Sequence, residues 1–184
     1  MSGLSGTAHV ILPGISGSGE THWQTIWEAE NPSYRRFRPA DWDRPDLADW
    51  LDALDRAVDE AADRPVLVAH SLACLLVAHA AERLTERIRG AFLVSVPDPE
   101  SPAFPAAAAS FRDAPSRPLP FPALIVASSN DPYGSLEYMR GRAAAWDAEL
   151  VAVGAEGHIN AASGLGAWHE GAMLLTAFRA GLRG

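Results

Sequence analysis

The stretch Val66-Leu67-Val68-Ala69-His70-Ser71-Leu72-Ala73 decides the fold. Val66 to Ala69 form a short, unbroken apolar run, the pattern of a strand with no wet face. A helical pattern begins immediately after Ser71. The segment therefore reads as strand, sharp turn and helix, with a serine at the apex. Such a turn lifts the hydroxyl above the C-terminal edge of a sheet and lets the next backbone N–H, that of Leu72, face a developing oxyanion. Glycine is usual two residues before and after such a serine, because side chains crowd the strained turn, and here both positions are alanine, Ala69 and Ala73. Taken alone, the segment also reads as a plain helix N-cap following a buried strand.

Outward from this segment, short apolar runs alternate with longer helical patterns. The strands expected are His9 to Leu12, Tyr34 to Arg38, Pro65 to Ala69, Ala91 to Val96, Ala123 to Ala127 and Leu150 to Val153. Helices are expected from about Glu20 to Glu30, from Asp46 as N-cap, and over Leu72 to Glu86, Ser135 to Trp146 and Ala167 to Leu182. In the second of these, Leu47, Trp50, Leu51, Leu54 and Val58 keep helical spacing while Asp49, Asp52, Asp55 and Asp59 fall elsewhere around the axis. Alternation of this kind predicts an α/β fold, a mainly parallel sheet with helices on both faces. The proline-rich stretch from Pro97 to Pro122 is expected to cross the surface as a largely irregular excursion. Too little chain follows it to build a second core, so residues 1–184 are expected to form a single domain.

Composition narrows the chemistry. The formal charge is −8, from 23 acidic and 15 basic residues, which disfavours nucleic acid and anionic lipid as partners. All the basic residues are arginine, which excludes a P-loop lysine and a lysine Schiff base. The lone cysteine, Cys74, can form neither an intrachain disulfide nor a cysteine-rich zinc site. No two histidines have the spacing of a helical zinc pair, so no metal is expected. With no signal-like start and no 18-residue apolar run, a cytoplasmic protein with no membrane span is the expectation.

A nucleophilic serine needs a base, and the base needs an orienting carboxylate, in the chain order Ser, Asp or Glu, His for a sheet of this kind. Asp131 in Ser129-Asn130-Asp131-Pro132 follows the strand ending near Ala127, and His158 in Gly154-Ala155-Glu156-Gly157-His158 follows the last strand. Both would reach the sheet edge that carries Ser71, where open α/β sheets place their sites. Singly, Asp131 reads equally as a turn residue and His158 as a loop histidine; together they require a coincidence of order and placement. The glycine-rich loop Leu12-Pro13-Gly14-Ile15-Ser16-Gly17-Ser18-Gly19 offers a second oxyanion donor, the N–H of Ile15 or alternatively of Ser16. A dinucleotide loop fits poorly there, because His22 stands where the third glycine is needed. Cys74 is a rival nucleophile that its apolar surroundings argue against.

These segments together resemble the small serine hydrolase family of the YdeN and retinoblastoma-binding protein 9 type. The matching pieces are Pro13-Gly14, Gly17-Ser18-Gly19, His22-Trp23-Gln24, Asp41-Trp42 with Pro45, His70-Ser71-Leu72, Ser129-Asn130-Asp131-Pro132-Tyr133 and Gly157-His158-Ile159-Asn160 running on to Gly166. The resemblance implies a reduced α/β-hydrolase fold of six strands in the order 2-1-3-4-5-6, with Ser71, Asp131 and His158 as its triad. It also brings Ser16, His22, Trp23, Tyr133, Ile159 and Asn160 forward as candidate pocket residues.

The function expected is hydrolysis of a small ester by an acyl-enzyme on Ser71, with no cofactor; a thioester or activated amide would suit the same chemistry. The alternative is a catalytically weak protein of the same fold acting as an interaction module. Phe104 and Phe111 are candidates to line a small cover over the site, or simply to pack.

Overall fold

The computed structural model describes residues 8–61 and 63–182. Its centre is a six-stranded sheet of β1 (His9–Leu12), β2 (Tyr34–Arg36), β3 (Val66–His70), β4 (Gly90–Val94), β5 (Ala123–Ala127) and β6 (Glu149–Ala152), in the order β2-β1-β3-β4-β5-β6. Every pairing is parallel. The strand order is the one the resemblance implies, and all six C-terminal ends emerge on one edge.

Alternate residues of the inner strands face opposite ways, and both faces are covered. Val10, Leu12, Leu67, Ala69, Leu93 and Ile125 join one core with Trp50 of α2 (Leu47–Asp59), Leu75 of α3 (Leu72–His79) and Met139 of α5 (Leu136–Trp146). Ile11, Val66, Val68, Phe92 and Val126 join the other with Trp23 and Trp27 of α1 (Trp23–Glu30) and Leu175 of α6 (His169–Gly181). This two-sided burial is why the strands read as continuous apolar runs rather than as polar and apolar in turn.

Several boundaries differ from expectation. The helix expected over Leu72 to Glu86 divides at Ala80, at φ −84° and ψ −3°, into α3 and α4 (Ala81–Leu84), although Ala80 still donates to the Leu76 carbonyl and accepts from the Leu84 N–H. The second strand stops at Arg36, whose guanidinium turns back to Glu28 and to the carbonyl of Gly17. The first helix starts at Trp23, with His22 as its cap. Asp46 caps α2 by accepting from the Asp49 N–H. Of the aspartates on the polar side of α2, Asp55 pairs with Arg83 and Arg87. The proline-rich excursion contains a 3-10 segment, Ala106–Phe111, and Phe111 is buried in the core against Trp50 instead of covering the site. No described helix is long and apolar enough to cross a membrane.

Candidate active site

At the end of β3 the backbone N–H of Ser71 still reaches across to the Val94 carbonyl, at 2.9 Å, and the chain then reverses into α3. Ser71 adopts φ 57° and ψ −125°, and its side chain makes no cap hydrogen bond to the helix. An ordinary N-cap has an extended backbone and a side chain that accepts from the first turn, so the N-cap reading fails here. A non-glycine residue held at positive φ costs about 1–3 kcal/mol and persists only where its surroundings enforce it. Ala69 and Ala73 are fully buried on either side of the turn.

The loop after β1 passes directly over this turn. A Cβ on Gly14 would lie 3.0 Å from the Ser71 Cβ and 3.1 Å from the His70 carbonyl oxygen, so a side chain there would push the loop off the serine. The next residues form a short 3-10 turn, Ile15–Gly17. Within it the Ser16 N–H donates to the Trp42 carbonyl at 3.1 Å. Ser16 is thereby committed as a backbone donor, which leaves Ile15 the better placed of the two alternatives.

Ser71 Oγ lies 2.8 Å from His158 Nε2, and His158 Nδ1 lies 2.9 Å from each carboxylate oxygen of Asp131. Asp131 accepts only, so the proton between them belongs on Nδ1, and Nε2 presents its lone pair to the serine hydroxyl. The Asp131 side chain is entirely buried and also accepts from the Tyr133 N–H at 2.9 Å.

Two polar side chains to which the sequence assigned no role stitch the loops of Asp131 and His158 together. Ser128 Oγ donates to Asn130 Oδ1 and accepts from the Glu156 N–H, while Asn130 Oδ1 also accepts from the Gly157 N–H at 2.7 Å. Gln24, fully buried, donates to the carbonyls of Leu12 and Val68 and so ties the end of β1 to the middle of β3. A serine, an asparagine and a glutamine near strand ends carry no periodic signal; only the fold brings their partners within reach.

A cavity of about 450 Å³ opens above Ser71. Ile15, Ser16, His22, Leu72, Tyr133, His158 and Asn160 line it, as do Pro97, Phe104 and Pro105 from the excursion after β4. Of the candidate pocket residues, Trp23 and Ile159 are not in this lining; both are buried behind His158, where α1 packs against the loop after β6. A tryptophan and an isoleucine in loop-adjacent segments are apolar enough for the second core, and that burial takes them out of the cavity.

His70 turns away from the serine hydroxyl and contacts the His158 carbonyl through Nε2 at 2.9 Å. His79 contacts the Phe111 carbonyl. Cys74 is fully buried, and that burial pushes its thiol well above the ordinary cysteine range, so it is held as an unreactive thiol. Among the described residues no cluster of histidine, cysteine and carboxylate side chains is arranged to hold a metal ion.

A family model described as serine hydrolase matches residues 9–177. The fold of a YdeN-like protein from Pectobacterium atrosepticum is similar at TM-score 0.84, with 34% identity over 94% of this chain and 90% of that chain. The ydeN gene product of Bacillus subtilis is similar in fold at TM-score 0.78 and 21% identity, over 95% of this chain and 99% of that one. The esterase domain of a Rhodothermus marinus protein follows at TM-score 0.70 and 16% identity, over 96% and 89% of the two chains. Among curated proteins no sequence matches.

Proposed function

Because the chain belongs to the serine hydrolase family, within the α/β-hydrolase superfamily, we propose that it cleaves small carboxylic esters through an acyl-enzyme on Ser71. Ser71 Oγ attacks the ester carbonyl while His158 Nε2, 2.8 Å away, takes its proton. Asp131 keeps the proton of the imidazole on Nδ1 and stabilises the imidazolium as it forms. The tetrahedral oxyanion is held by the N–H groups of Leu72, at the start of α3, and of Ile15, in the loop kept close by Gly14. Collapse expels the alcohol, which takes the proton from His158. Water then enters, gives a proton to the same nitrogen and attacks the acyl carbonyl; collapse breaks the bond to Ser71 Oγ, which takes that proton back from His158 as the carboxylic acid leaves.

The observation that carries this reading is the strained Ser71 backbone combined with its 2.8 Å contact to His158. Ser16, Ser18 and Ser95 also stand at positive φ, and what sets Ser71 apart is the imidazole nitrogen at hydrogen-bond distance together with its place in the cavity wall. The apolar wall of Leu72, Pro97, Phe104 and Pro105 suits the acyl chain or the hydrocarbon part of a small substrate. Lost catalysis in an interaction module would release the selection for this geometry, so the intact relay favours an enzyme.

The test uses p-nitrophenyl acetate and butyrate beside a fluorophosphonate probe. Ser71→Ala is expected to lower turnover by at least about 10⁴-fold and to abolish labelling, with melting unchanged within a few degrees. Normal turnover in that variant, or a label mapped to any other residue, refutes the mechanism.

A further inference from the structure

His158 is bracketed by backbone in the left-handed region: Gly157 at φ 59° and Ile159 at φ 46°. Glycine takes such a conformation freely, but a β-branched residue is strained there. Ile159 is fully buried, so it cannot turn outward to relax without leaving the core it packs in. Something on either side must hold this turn, and two buried donors do. The Trp23 indole N–H donates to the Ile159 carbonyl at 2.8 Å, and His70 Nε2 lies 2.9 Å from the His158 carbonyl. A carbonyl only accepts, so the His70 proton must be on Nε2.

We propose that His70 and Trp23 are positioning residues for the base: their N–H groups clamp two consecutive carbonyls, of His158 and Ile159, and so aim the imidazole at Ser71. This rests on the reading of His158 as the base. Each donor comes from a rigid element. Trp23 begins α1 and packs against Trp27 and Trp168, with ring centres 4.5 and 5.1 Å apart. His70 ends β3, its ring wedged between those of His22 and His158 at 4.8 and 4.9 Å. Burial, with the neighbouring imidazoles of His158 and His22, holds His70 well below the ordinary histidine range, so it stays a neutral donor across working pH. The arrangement also joins nucleophile and base through adjacent residues, since the strand that ends in His70 presents Ser71 next. If either clamp is lost, Ile159 can relax toward negative φ and rotate His158 away from the hydroxyl. Loss of the Trp23 donor leaves ester binding in place, because Trp23 does not line the cavity, whereas His70 borders it and its replacement also alters the cavity wall.

Trp23→Phe removes one N–H and keeps an aromatic ring; His70→Leu removes the other donor; His70→Gln returns an amide N–H near the lost Nε2. Steady-state kinetics on p-nitrophenyl butyrate, fluorophosphonate labelling rates and melting are measured for each, with His158→Ala in the same series. Trp23→Phe and His70→Leu are each expected to lower kcat and the labelling rate about tenfold or more, and in Trp23→Phe, whose side chain lies outside the cavity, KM is expected to stay within about twofold. His70→Gln is expected to recover most of that loss, although it lacks the ring that His70→Leu also lacks. Values of kcat within twofold of wild type in Trp23→Phe, or no recovery by glutamine over leucine, overturn the proposal. Should the leucine variant fail to fold, Trp23→Phe and His70→Gln decide it alone. An active His158→Ala would instead overturn the reading of the base itself, which separates the two failures.

Discussion

At the level of single residues, the site depends on which nitrogen of His158 carries the proton. The Asp131 carboxylate settles that by offering acceptors alone, one oxygen shared with the Tyr133 N–H and both at 2.9 Å from Nδ1. In Asp131→Asn the amide oxygen would keep the Tyr133 contact and turn its NH₂ toward His158. Nδ1 would then have to accept, the proton would move to Nε2, and the base would face the serine hydroxyl with a donor of its own. The variant is expected to lose roughly 10⁴-fold in kcat, since a misplaced tautomer costs about that much in a relay of this type. Its KM should hardly move, because the carboxylate is not in the cavity lining. Rates within about twofold of wild type would show that Asp131 does not orient the base.

At the level of elements, the turn from β3 to α3 carries the strain, and the alanines flanking it set the room available. Ala73 is fully buried and directly follows Leu72, whose N–H is the proposed oxyanion donor. Ala73→Gly should keep activity and cost about 0.5–1 kcal/mol of stability through helix entropy. Ala73→Val forces two extra methyl carbons into closed packing, costing about 1–3 kcal/mol, and should lower turnover by shifting Ser71 and the Leu72 amide together. A valine variant with normal melting and normal turnover would mean that the turn is not crowded. This element was legible in the sequence because both faces of β3 are buried, which writes its core as an unbroken apolar run, and because a serine ends it. The partners Asp131 and His158 were legible through the strands they follow. Trp23 and Ile159 were misplaced for the complementary reason: their contact spans 136 residues, and apolar character reports burial but not the neighbour that provides it. Asn130 stands in a segment that carries the resemblance, but its role in binding the two loops, like that of Ser128, shows only where the loops meet.

Across the whole molecule, burying imidazoles behind the base ties stability to pH. Burial, with the charges of Arg36 and His158, lowers His22 to about 4, and burial holds His70 well below the ordinary histidine value of 6.5. Both are bases with depressed folded-state values, so above pH 6.5 they are neutral whether the chain is folded or not and contribute no slope. As pH falls below 6.5 the unfolded chain takes up protons that the folded chain refuses, and stability drops. Each histidine contributes at most about 1.4 kcal/mol per pH unit, and for His22 the loss should end near pH 4. The carboxylates Asp41 and Asp55, lowered from 3.8, lose their contribution only below that window. Acidification also discharges the formal −8, which relieves self-repulsion and acts in the opposite direction. In 1 M salt the screening length is about 3 Å, so this opposing effect is suppressed and the buried histidines dominate. Urea unfolding in 1 M NaCl at several values between pH 7 and pH 4.5 is therefore expected to show falling stability. His22→Asn retains a side-chain oxygen able to cap α1, and should reduce the slope by up to about 1.4 kcal/mol per pH unit. A wild-type profile flat over that range, or a variant profile parallel to it, would mean that His22 takes up its proton in the folded protein as readily as in the unfolded chain.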